Sequence, residues 1–157
     1  DPVRTKSVFT EDGWFRTSDT AVQDEKGRFY IKGRNSNMIL GPSGENIYPE
    51  EIENVINNVE GVGESIVVER DGKLVALVAP NENYIEWDKE SEDKLYEKLD
   101  NWKAKILKVT NKNVNKSSQV SAVEVMKEPF EKTATQKIRR FKYKNSAPTV
   151  EQEKEKK

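Results

Sequence analysis

The stretch from Ser65 to Ala79 constrains the fold more than any other. Ile66, Val67 and Val68 form a β-branched run, Asp71-Gly72 supplies a two-residue hairpin turn, and Lys73 to Ala79 returns antiparallel until Pro80 stops it. Helical patterns lie on both sides of this hairpin. Pro49 suits a first helical position, where its missing N–H costs nothing, and Glu50, Glu51 and Glu53 favour the positive end of the same helix. Ile52, Val55, Ile56 and Val59 then recur at i, i+3, i+4 and i+7, so one face is buried before Gly61 and Gly63 end the element. Downstream, Ser91 can cap a helix with Glu92 and Asp93 in its first turn; Leu95, Leu99, Trp102, Ile106 and Val109 mark its buried stripe.

The flanks are weaker. Ala21 to Lys32 reads as a hairpin around Asp24-Glu25-Lys26-Gly27, and Gly33-Arg34-Asn35-Ser36 as a joint between two apolar runs. Met38 to Leu40 and Ile47-Tyr48 read as short strands around the turn Gly41 to Asn46. Gln119 to Met126 reads as a further strand, and Lys137 to Tyr143 as a short basic helix. Residues 147–157 are charged and lack apolar anchors, so a disordered tail is expected there. The order predicts an α+β domain: a small antiparallel sheet with flanking helices, preceded by a hairpin.

Composition removes whole classes of function. With Cys 0 and His 0 there is no disulfide, no thiol nucleophile, no Ser-His-Asp triad and no imidazole- or thiolate-bound metal. Any general base or electrostatic catalyst must therefore be Asp, Glu, Lys, Arg or Tyr. A net charge of -1 argues against a dedicated nucleic-acid binder. No apolar run is long enough to span a membrane. At 34% hydrophobic and 35% charged the chain is polar for a globular domain, which implies either disorder or a surface that meets another partner.

Three segments carry a resemblance. Gly13-Trp14-Phe15-Arg16-Thr17-Ser18-Asp19 is the first. Gly33-Arg34, Met38-Ile39, Ser43 to Ile47 and Pro49 to Glu53 form the second. Pro129-Phe130-Glu131-Lys132-Thr133-Ala134-Thr135-Gln136-Lys137-Ile138-Arg139-Arg140 is the third. In this order the chain resembles the C-terminal portion of AMP-forming acyl-CoA synthetases, within the adenylate-forming enzymes. The last segment looks most like that of bacterial long-chain fatty acid–CoA ligases.

The resemblance implies an enzyme, an ATP-dependent acid–thiol ligase, and a division of the chain. Residues 1–35 would end a larger N-terminal adenylation domain, 36–146 would form its mobile lid, and 147–157 the tail. ATP and coenzyme A would be used with a fatty acid, and magnesium would be held mainly by the N-terminal domain, the lid's partner. The isolated lid would be inactive. The location implied is cytoplasmic, with peripheral membrane association open for the full-length enzyme. An aryl-CoA ligase, a peptide-synthetase adenylation domain and a non-enzymatic binding module are the alternatives.

Site roles follow from the same resemblance. Asp19 would accept hydrogen bonds from the AMP ribose hydroxyls. Arg34 would meet the nucleotide near the hinge, and Ser36 would be the pivot of lid rotation. Gly44 would line the tunnel for the thiol arm. Lys137 would be catalytic, entering the active site during adenylation. Three positions depart from the family pattern: Ser18 and Gln136 stand where glycine is usual, and Ser36 where Asp or Lys is usual.

Overall fold

A computed structural model describes residues 1–89 and 91–151. The elements are α1 (Pro2–Ser7), β1 (Asp19–Gln23), β2 (Phe29–Arg34), β3 (Ile39–Leu40), β4 (Asn46–Ile47), α2 (Pro49–Ile56), β5 (Val62–Arg70), β6 (Lys73–Pro80), α3 (Glu92–Asn113) and β7 (Ala122–Val125). The α+β class read from the sequence holds.

The central sheet has the order β5-β6-β7. β5 and β6 pair antiparallel across Asp71-Gly72, both of which adopt the positive φ that such a tight turn needs (51° and 73°). β7 pairs parallel to β6. The direction follows from the connection, because the 22-residue α3 carries the chain back along the sheet before β7 begins.

β6 is buried from Leu74 to Ala79, so it needs cover on both faces. Alternate residues divide the core in two. Val67, Leu74, Ala76 and Val78 pack with Ile52 and Ile56 of α2 and with Leu99, Trp102 and Ile106 of α3. Ile66, Val68, Val75 and Leu77 pack instead with Met126, Phe130, Tyr143 and Ala147. Ile52 and Ile56 are 1% and 0% exposed, each contributing roughly 1.5–3 kcal/mol of apolar burial.

The second core cluster corrects the expected tail. Ala147, Thr149 and Val150 are 3%, 0% and 8% exposed. Thr149 bridges to Met126, and the Val125 amide donates to Glu151 Oε2 at 3.1 Å. β7 leaves backbone groups on its free side, and this segment satisfies one of them. Residues 152–157 of the expected tail lie outside the described residues. The segment 137–143 is also not one helix: Lys132 bridges to Ile138, and a short 3-10 turn follows over Arg140–Tyr143.

The N-terminal segment is built differently. No residue from 1 to 32 is buried. Trp14, Phe29 and Ile31 are each 70% exposed or more. The hairpin β1–β2 meets the rest through Lys32, which pairs with Glu51 of α2 at 2.7 Å, and through Gly33 and Arg34.

Candidate functional site

The hairpin sets Asp19 opposite Arg34. They are direct cross-strand partners, and Arg34 Nε lies 3.5 Å from Asp19 Oδ1. Both side chains remain accessible, at 32% and 51% exposure, so both can still reach a ligand. Ser18, just before Asp19, has φ 65°. That left-handed conformation is where glycine is most at ease, which gives a physical reason for the glycine usual at this position.

Ser36 falls between two anchors. The Asn35 amide donates to the Ser18 carbonyl at 3.0 Å, closing the hairpin. Asn37 Nδ2 donates to Glu50 Oε1 at 2.5 Å, tying the next residue to α2. The same carboxylate oxygen accepts a longer bond from the Arg34 amide, 3.4 Å. A Cβ at Gly33 would lie 2.6 Å from Glu50 Oε2, so any side chain there would push this carboxylate aside.

Lys137 closes a tight turn. Its amide donates to Thr133 Oγ1 at 3.2 Å and its carbonyl accepts from the Thr133 amide at 2.8 Å. Gln136 at the turn has φ 60°, again where glycine is usual. The lysine side chain is exposed. Arg34, Ser36 and Lys137 line one open groove, together with Glu50, Glu53 and Arg140. The sequence places these residues a hundred positions apart; the fold brings them to one cleft.

Gly44 does not line that groove. It sits in the turn between β3 and β4 with φ 83°, its amide donating to the Gly41 carbonyl at 2.9 Å. A Cβ there would meet nothing within 4 Å. The turn explains the glycine by conformation, and the open space leaves room for a close-approaching ligand.

Glu53, read from the sequence only as a helix-end acid, and Arg140 were not among the expected site residues. Arg140 Nη1 donates to Glu53 Oε1 at 2.6 Å, Nη2 donates to Oε2, and the Val67 amide donates to Oε1 at 2.8 Å. Burial pushes the Glu53 carboxyl above its ordinary value, against the pull of Arg140 and the Val67 amide. Both residues stood inside the recognised segments. Their pairing over 87 positions had no local signal.

No protein-family profile matches the chain. Similar sequences and structures are found. A long-chain-fatty-acid–CoA ligase of Mycobacterium tuberculosis is 43% identical over 81 residues, covering 49% of this chain and 16% of that protein. An indoleacetate–CoA ligase of Aromatoleum aromaticum is 41% identical over 85 residues, covering 51% and 16%. Its homologues are acyl- and aryl-CoA ligases. ATP-bound MatB from Rhodopseudomonas palustris shares the fold with a TM-score of 0.63 at 26% identity, over 89% of this chain and 25% of that one. The chain thus spans about a sixth of the length of these curated relatives. Among the described residues, no helix is long and apolar enough to cross a membrane.

Proposed function

We propose that this chain is the lid, with the last hairpin of the preceding domain, of an AMP-forming acid–CoA ligase. The observation that supports the reading most is the groove itself. It gathers Arg34, Ser36 and Lys137 beside Asp19, four residues that the resemblance had assigned to one reaction. The boundary between hairpin and lid falls at residues 35 and 36 in this reading, and Lys32 and the Arg34 amide tie the hairpin to α2 across it.

Two steps make up the activity. A carboxylate oxygen of the acid attacks the α-phosphorus of ATP, forming an acyl–phosphate bond while pyrophosphate leaves. The thiol of coenzyme A then loses its proton and attacks the acyl carbon, and AMP leaves with the electron pair of the broken C–O bond. Asp19 accepts from two ribose hydroxyls, a charge-assisted contact stronger than a neutral one. Arg34 offers its planar fork to ribose or phosphate oxygens. Lys137 brings a point charge to the oxygens on which negative charge gathers in the first step. The Gly44 turn faces the thiol arm in the second. Among the described residues no three Asp or Glu side chains gather to hold a metal. Magnesium accompanying ATP would be held mainly by the larger domain, as the resemblance implies.

The substrate we propose is a long-chain fatty acid. The ending of the third segment and the Mycobacterium relative favour it. The indoleacetate relative favours an aryl acid as the second reading. ATP–pyrophosphate exchange by the full-length protein, run with palmitate and with aryl acids, distinguishes them. Exchange with neither acid class would overturn the proposal, and so would turnover by this chain alone.

A further inference from the structure

The groove contains an ion pair that the two-step chemistry leaves unused. Glu53 is 5% exposed on α2, and an ionised carboxylate at that depth needs full pairing. Arg140 provides it through both arms of its guanidinium, and the Val67 amide of β5 adds a third bond. This is a directional joint. Two parallel N–H bonds fix the angle of the guanidinium as well as its distance, which an apolar plug of equal volume would not do.

Arg140 stands three residues after Lys137, where the turn meets the 3-10 turn. The turn has few other fixings. Residues 134–137 are exposed and Ile138 is only half-buried. Lys132 pairs with Glu64 at 2.7 Å, but both side chains are partly exposed, where ion pairs hold weakly. The Glu131 amide donates to the Tyr143 hydroxyl at 2.7 Å, six residues before Lys137. The fork on Glu53 is the buried anchor nearest the lysine.

We infer that Glu53 and Arg140 are positioning residues: their pair fixes the Lys137 turn against α2 and β5 and sets where the ammonium can reach. The inference rests on the reading of Lys137 proposed above, and its test has an arm that does not.

In this chain, hydrogen exchange is followed by NMR in the unaltered protein, Glu53→Gln and Arg140→Lys. Glu53→Gln keeps the shape of the side chain, and Arg140→Lys keeps its charge while removing the two-armed fork. The Lys137 and Thr133 amides should exchange about tenfold faster or more, while Ile66 and Leu77 in the sheet keep their protection. Unchanged turn exchange in both variants overturns the clamp, and so does equal loosening of the sheet, which would make the pair a general support.

The second arm uses the full-length enzyme with Lys137→Ala, Arg140→Lys and the double variant. Arg140→Lys should slow acyl-adenylate formation about tenfold or more, with little change in KM for ATP and none in thioester formation from supplied acyl-adenylate. If Arg140 acts through Lys137, the double variant is no slower than Lys137→Ala. Multiplying effects would overturn the inference. Normal adenylation by Lys137→Ala would overturn the role of the lysine and the functional half of this inference with it, whereas the exchange arm judges the clamp by itself.

Discussion

At the scale of single residues, two departures from the family pattern became intelligible once φ was known. Ser18 and Gln136 both adopt φ near 60°, which costs a residue with a side chain more than it costs glycine. Gln136→Gly should therefore stabilise the chain by about 1 kcal/mol, read from the urea midpoint at constant slope. A lower midpoint would show that Gln136 makes contacts worth more than the relief of strain. Asp24 presents the opposite case, a side chain whose charge is built into the hairpin. Its Oδ1 accepts from the Lys26 and Arg28 amides, both at 2.9 Å, and its Oδ2 accepts from Arg28 Nε at 2.7 Å and Tyr30 OH at 3.1 Å. The Arg28 amide is the largest of the causes that hold its carboxyl below the ordinary 3.8. A depressed carboxyl binds fewer protons folded than unfolded. Its contribution is thus complete above 3.8 and is lost as pH falls through the lower folded value. NMR titration should place the Asp24 midpoint below 3.8, and Asp24→Asn should remove the hairpin's response to acid in that range. A midpoint at or above 3.8 contradicts the bonding described.

Among the elements, those with their own punctuation were the legible ones. Pro49 marked the start of α2, Asp71-Gly72 the turn of β5–β6, and the spacing of Leu99, Trp102 and Ile106 the buried face of α3. What escaped was set by partners distant in sequence. The parallel pairing of β7 depends on α3 returning the chain, and the strand's own residues do not encode it. The segment after Tyr143 is polar in sequence, yet Ala147 joins the cluster of Met126 and Phe130, Val150 joins that of α2 and α3, and Thr149 bridges to Met126. The same reason hid the Glu53–Arg140 pair while Arg34 and Lys137, which line the same groove, could be named from motifs. The terminal segment makes a direct test. Ending the chain after residue 146 should destabilise it by about 2 kcal/mol or more, the scale of re-exposing one buried Val and one methyl group. Urea denaturation measures this, and an unchanged midpoint would restore the disordered-tail expectation.

For the whole molecule, the uneven distribution of burial matters most. Two core clusters surround the sheet β5-β6-β7, whereas residues 1–32 bury nothing and expose Trp14, Phe29 and Ile31. Under the proposed function such a segment closes against a larger body, with Ser36 at the join. If the lid turns there, Lys137 and Gly44 serve different states, because the lysine lines the groove beside Arg34 and Gly44 lies outside it. An interaction made in one transition state only should affect that step only. In the full-length enzyme, Lys137→Ala should slow acyl-adenylate formation about a hundredfold or more, the scale of losing one preorganised charge stabiliser. It should leave thioester formation from supplied acyl-adenylate nearly intact. Gly44→Leu should do the reverse. Its side chain would enter space that is now open and obstruct the thiol arm, and at φ 83° it would also strain the turn. Gly44→Ala separates these causes, since it brings the strain with little of the bulk. Single-turnover rates of each half-reaction decide the matter. Equal slowing of the same step by Lys137→Ala and Gly44→Leu would mean that the groove and the Gly44 turn serve one state of the lid, and rotation about Ser36 would have no place in the mechanism.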